Sequence, residues 1–284
     1  MSPALIIARH VLQESIRRRV FVIVVALSLA FVALFAFATA EAFARLNTLS
    51  PGRGTLDTGG LATVTLVGLG MFATLFLGTV LAVFLTVGAV RGDAERGLLQ
   101  PLVVRPPRRS ELLLGRFAGA TGVCVVYVVA LYAAVIEVVH IAGGRYPDQI
   151  VGPGVALAAA VTILIALSLL GSVMLSTIAN GIAMFMVFGA ALVAGLLNTI
   201  GTALASGTVE TIAHDIALAL PFEALYQAGL HGLAANQTGF TGLLVNLGPF
   251  GSGQAGSLGL DLWAAAYLLI VASLAIVGFS RRDL

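Results

Sequence analysis

RGDAERGLLQPLVVRPPRRSELLLGR, residues 91–116, is the one strongly charged passage between long apolar runs. It holds six of the fifteen Arg in a chain whose charged fraction is only 10%. A polar island of this kind between two lipid-compatible segments has to sit in water, and its arginine excess assigns it to the cytoplasmic side. Gly92-Asp93 and Gly97 break up the end of the preceding run, while Leu98, Leu99, Leu102 and Val103 supply an apolar stripe. Pro101, Pro106 and Pro107 stiffen the bend, and Ser110-Glu111 reads as a helix cap followed by a first-turn acid. A short amphipathic piece held by rigid turns on the inner face is therefore expected.

The rest of the composition fits a bilayer. Mean hydropathy is +1.05 and 59% of residues are hydrophobic, far from soluble chains, in which about a quarter of residues are charged. Cys124 is the single cysteine, so neither a disulfide framework nor a cysteine metal cluster can form within one chain. Lysine is absent altogether. That removes the phosphate-binding Lys of a Walker A loop and the amine of Schiff-base chemistry, so if ATP drives this chain, another polypeptide binds it. The net charge of +2 does not indicate a nucleic-acid partner, because the Arg residues stand where membrane topology places them.

Outward from the charged stretch, residues 1–19 carry Arg9, Arg17, Arg18 and Arg19 around apolar positions at helical spacing, which predicts an interfacial helix on the inner surface. Spans are expected at 20–40, 63–90, 112–139, 154–178, 182–204 and 262–279, each long enough for about 30 Å of hydrocarbon. The first is read as an uncleaved span, despite Ala38-Thr39-Ala40, because it exceeds the roughly 7 to 15 apolar residues of a signal peptide. Residues 41–62 read as an outer loop, 143–148 as a compact outer turn, and Ala179-Asn180-Gly181 as a tight inner turn. Gly68, Gly70, Gly78 and Gly88, and the Gly115/Gly119 pair, read as helix-packing positions. Glu137 and His140 are expected at an interface, hydrated. In the outer segment 205–261, residues 212–235 contain His214, Asp215, Pro221, Glu223 and His231. This piece reads as two short helices broken at Pro221 that lie at, or dip into, the outer interface, since another crossing would put Arg281 and Arg282 outside. Trp263 and Tyr267 suit an outer aromatic belt. The layout leaves twelve Arg inside and three outside (Arg45, Arg53, Arg145). It describes a single all-α membrane domain of six spans with both termini cytoplasmic. No internal repeat is evident.

Glu95-Arg96-Gly97-Leu98-Leu99, then Leu102 to Arg109, then Glu111-Leu112-Leu113-Leu114-Gly115-Arg116 together resemble the inner-loop pattern of type-2 ATP-binding-cassette (ABC) permeases. Leu98 stands where Thr is usual, Pro107 where Val or Ile is common, and Arg116 where Lys is usual. The resemblance implies that residues 91–111 form a coupling helix resting on a separate ATPase subunit. Its contacts would be Asp93, Glu95, Arg96, Gly97, Leu98, Leu99, Arg105, Arg108, Arg109 and Glu111, with secondary docking through Arg9, Arg17, Arg18 and Arg19. It also implies a second copy of the permease around a two-fold axis, ATP and Mg held by the ATPase, and no cofactor on this chain. The family further suggests an exporter in the inner membrane of a prokaryote, surrounded by lipid and with a possible accessory protein outside.

Two other function classes compete. An ion-gradient-driven secondary transporter or channel needs ionisable groups near mid-membrane, and the central parts of the spans contain no Asp, Glu, Arg or His, with only Asn180 and Asn198 near span ends. An intramembrane enzyme would need a catalytic cluster. The four His, at 10, 140, 214 and 231, include no HExxH, and His214-Asp215 is the nearest approach to a site.

Overall fold

A computed structural model describes residues 19–49, 58–88, 109–147, 149–204, 206–234 and 256–280. The described residues form eight helices: α1 (Arg19–Leu49), α2 (Thr58–Thr86), α3 (Arg109–Gly143), α4 (Val151–Met174), α5 (Thr177–Ala203), α6 (Gly207–Ala219), α7 (Pro221–Ala234) and α8 (Leu258–Ser280). Six of them, all but α6 and α7, are long and apolar enough to cross a membrane.

Helix α4 is the hub, packing against α2, α3, α5, α7 and α8. Its burial is correspondingly all-round, including Leu157, Val161, Leu164, Ile165 and Ser168 on successive faces. Helices α1 and α8 instead bury one stripe each. In α8 this is Ala264, Val271, Ala275 and Phe279, while Leu262, Leu269 and Leu274 are exposed. Exposed leucine and phenylalanine in this quantity would be a liability in water, and in hydrocarbon it is the expected outer surface. Small residues set the tightest approaches. A Cβ on Gly70 would collide with Val135 of α3, and one on Gly78 would stand 2.8 Å from Val128. Gly115 and Gly119 are both buried, as the packing reading expects.

Several element boundaries differ from expectation. Helix α1 continues through Glu41–Leu49, where a loop was expected, and an Arg45 Nε–Glu41 Oε1 contact of 2.8 Å spans one of those turns. Helix α2 starts at Thr58 and ends at Thr86, earlier at both ends than 63–90. The break between α4 and α5 falls at Leu175-Ser176, not at Ala179-Asn180-Gly181, which is helical. Two facts explain that shift. Ser176 Oγ accepts from Ala179 N at 3.4 Å as an N-cap, and Asn180 finds hydrogen-bond acceptors in the bundle interior, so it has no need of a turn. Helix α3 opens at Arg109, so Ser110 is inside the first turn with Glu111 rather than capping it.

The expected turn after α3 is present. Gly144, at φ +68°, donates its N–H to His140 O at 2.7 Å and ends α3. Glu137 is exposed and accepts from the Tyr146 hydroxyl at 3.1 Å, and His140 stacks on the Tyr146 ring. The expected pair of short helices is also there: α6 ends at Ala219 and Pro221 occupies the first position of α7, where its missing N–H costs nothing. The pair folds back into the bundle. Phe222 stacks on Phe188, near the middle of α5, while Gly229 and Gly232 abut Pro153 at the start of α4. Trp263 Nε1 donates to Leu218 O at 2.9 Å and satisfies a carbonyl at the end of α6.

Candidate functional site

Most of the residues expected to carry function, namely Arg9, Arg17, Arg18, Asp93, Glu95, Arg96, Gly97, Leu98, Leu99, Arg105 and Arg108, lie outside the described residues. Arg19 opens α1 and is exposed. Arg109 opens α3, and Glu111 sits half-buried in its first turn, where the helix dipole favours an acid. The described structure therefore defines what the charged stretch is attached to: the end of α2 on one side and the start of α3 on the other.

At that end of the bundle a buried polar cluster ties three helices together. Thr86, the last residue of α2, donates its hydroxyl hydrogen to Ala82 O at 2.6 Å, and its oxygen lies 2.7 Å from Ser168 Oγ on α4. Asn180 of α5 donates Nδ2–H to Ser168 O at 2.9 Å and to Val87 O at 3.4 Å. Thr86, Ser168 and Asn180 are all essentially inaccessible. Buried polar groups are retained where they are hydrogen-bonded. Here two of the bonds meet at Ser168 and a third, longer one reaches Val87, the first residue past α2, whose own N–H returns to Val83 O at 2.7 Å. Ordinarily the last carbonyls of a helix are left to water. In this chain one of them is held by a side chain from another helix. Gly171 makes room for Asn180, because a Cβ there would overlap Asn180 Oδ1 and stand 2.9 Å from its Cγ.

Beside this latch α2 and α5 diverge. They touch only sparsely and enclose an open apolar cleft of about 640 Å³ lined by Val83, Val87, Thr177, Ile182, Phe185 and Met186, among others. The arrangement fixes α2 to α4 through Thr86–Ser168 and to α5 through Val87–Asn180, and leaves space between α2 and α5. It offers hydrogen bonding and mechanical linkage, with no acid–base pair and no metal-binding cluster among the described residues. Sequence reasoning placed Asn180 in a turn and assigned no role to Thr86 or Ser168. A small polar residue in each of three helices facing the hub is visible only once the faces are known.

A second buried polar group lies towards the other end of the bundle. Glu223 and Gln227 of α7 are both buried against α5, with Gln227 Nε2 donating to Glu223 Oε1 at 2.8 Å. Burial raises the Glu223 carboxyl above its ordinary value, and the Gln227 hydrogen bond offsets this in part. His214, next to it in the fold, remains exposed with Asp215, so the two do not form an enclosed pair.

No curated protein matches the chain. Residues 5–284 match the family model described as ABC-2 family transporter protein.

Proposed function

Because the chain belongs to the ABC-2 family of transporter proteins and is a multi-pass permease-type membrane subunit, we propose that residues 91–111 receive force from a separate ATPase and that the Thr86–Ser168–Asn180 latch delivers it to the bundle. The latch is the observation that carries this reading. A loop can move a helix only if the helix end is held, and Val87 is held on the side of the chain from which the loop departs. Each hydrogen bond contributes about 1 kcal/mol, so the latch is firm enough to keep α2, α4 and α5 in register yet weak enough to be exchanged in a conformational cycle.

In this reading the ATPase holds ATP and Mg, and this chain holds neither. Asp93, Glu95, Arg96, Arg105, Arg108, Arg109 and Glu111 make the charged contacts, with Leu98 and Leu99 as apolar anchors around Gly97. Arg9, Arg17, Arg18 and Arg19 supply a secondary contact. Two permease copies surround the pathway around a two-fold axis, since six spans alone make too small a pathway for most cargo of such transporters. Closure of the ATPases tilts α2 and α3 and changes the width of the α2–α5 cleft. The direction is export from the cytoplasm of a prokaryote across its inner membrane, with the termini inside and the α6–α7 hairpin dipping into the outer leaflet. An accessory protein on the outer side is compatible with this layout.

The test is co-purification. Arg108→Glu with Arg109→Glu should cut ATPase recovery several-fold while the permease still inserts, and undiminished recovery would remove the docking role. The second reading, an ion-gradient-driven transporter, is favoured by one observation, the burial of Glu223. Transport that survives a hydrolysis-dead ATPase would establish it instead.

A further inference from the structure

Helix α7 starts Pro221-Phe222-Glu223, and the carboxylate at its third position is only 3% exposed. One oxygen, Oε1, accepts from Gln227, and the other, Oε2, has no hydrogen-bond partner among the described residues. The facing helix is shaped to admit this group, since a Cβ on Gly195 would stand 2.5 Å from Glu223 Oε1 and 3.0 Å from Gln227 Nε2. Next to it is a cavity of about 40 Å³, walled by the small side chains of Ala191, Ala194, Ala213 and Ala217, with His214 at its edge.

A buried carboxylate with one donor is strongly unfavourable unless a positive charge or a proton joins it. The surrounding helices supply little. Over their described lengths α2, α4 and α5 carry no Asp, Glu, His, Lys or Arg. Asp215 on α6 and Asp261 on α8 add negative charge elsewhere, and among the described residues His214 is the one other titratable side chain lining the cavity. Among the described residues, then, none supplies the positive charge that would complete the site. A hard cation such as Ca²⁺ or Mg²⁺ is a poor fit, because it requires about six or more oxygen ligands and much of the lining is alanine. An ammonium group needs one strong acceptor and donates its own hydrogens. Its size also suits the space, which holds about three water-sized centres at 10–15 Å³ each.

We propose that this cavity binds a primary ammonium group, the nitrogen donating to the Glu223 carboxylate and its carbon lying against the alanine walls. The site takes a small amine, or the amine end of a larger cargo, and rejects quaternary ammonium, which is too wide and has no N–H to donate. Binding here depends on neither the charged loop nor an ATPase, so it stands or falls separately from the coupling described above.

The test uses the purified full-length chain in detergent micelles, with thermal unfolding followed by the fluorescence of Trp263, the only tryptophan. Methylammonium chloride should raise the midpoint saturably, while tetramethylammonium chloride or sodium chloride at equal ionic strength should not. Glu223→Gln should abolish the methylammonium response. If that variant does not fold, Ala213→Val, which fills the cavity and leaves the carboxylate in place, should abolish it instead. Equal shifts with all three salts, or a response that survives either substitution, would overturn the site. Stabilisation by acid with none by methylammonium would assign the cavity to a proton and likewise overturn it.

Discussion

Replacing Gly171 and Asn180, singly and together, isolates the latch. In Asn180→Ala the 2.9 Å bond to Ser168 O and the longer 3.4 Å bond to Val87 O disappear. These contribute about 1 kcal/mol and a fraction of that, and the vacated volume costs about as much again. Against this, Asn180 Oδ1 is buried with no hydrogen-bond partner, so its removal returns roughly 1 kcal/mol. The net loss should be about 1–2 kcal/mol. Gly171→Ala should cost more, about 2–3 kcal/mol, because the new methyl overlaps Asn180 Oδ1 and Cγ and drives the amide off its acceptors. In the double variant the methyl introduced at position 171 occupies space the amide has left, and alanine is the better helix former by up to about 1 kcal/mol. The double variant should therefore be no less stable than Asn180→Ala alone, a coupling of about 2 kcal/mol or more between the two sites. Helix content against SDS in mixed micelles measures all three. Additivity to within about 0.5 kcal/mol would refute the packing argument. Transport separates stability from linkage: the double variant regains its fold but still lacks the tie to Val87, so ATP hydrolysis should remain poorly coupled.

The arginine reversal at 108 and 109 should lower ATPase recovery without lowering membrane insertion, read by quantitative immunoblot. Glu223 should give the fold a pH dependence of definite sign. Its folded-state pKa lies above the ordinary carboxylate value of 4.5, so between the two the folded chain keeps a proton that the unfolded chain has lost. Stability should thus be fully present below the ordinary value and decline as pH rises through the raised one. Unfolding midpoints from about pH 4 to about pH 9 should show this slope in the native chain and lose it in Glu223→Gln; identical slopes would contradict it. Gly70→Ala should destabilise the α2–α3 pair by about 1–3 kcal/mol, since its methyl falls on Val135. Val135→Ala in the same chain should recover part of the loss in the same unfolding assay.

The six long helices were legible because each rests on a run of apolar residues that only a bilayer accommodates. The hairpin was legible at Pro221, where a missing N–H fixes a helix start whatever surrounds it. What escaped was burial of polar groups. Asn180 sits in Ala-Asn-Gly, a composition that favours turns, and only Ser168 and Val87 across the bundle make it a helical donor. Glu223 stood among His214, Asp215 and His231, and a cluster of polar residues reads as surface. The signal that sets it apart is the neighbouring Phe222, Leu225 and Tyr226, which are buried on either side of it. The extension of α1 was hidden because Glu41 and Arg45 end the apolar run without ending the helix, being paired one turn apart.

The inward fold of α6 and α7 also bears on how the molecule is put together. A segment bearing Glu223, Gln227 and His231 has too little apolar character to hold a place among acyl chains unaided. Its cradle is made by α2, α4 and α5, which all precede it in the chain and so leave the ribosome earlier. Synthesis from the N-terminus thus prepares the berth before its occupant arrives, and α8 follows to close it, with Trp263 bolting the hairpin to the last stave.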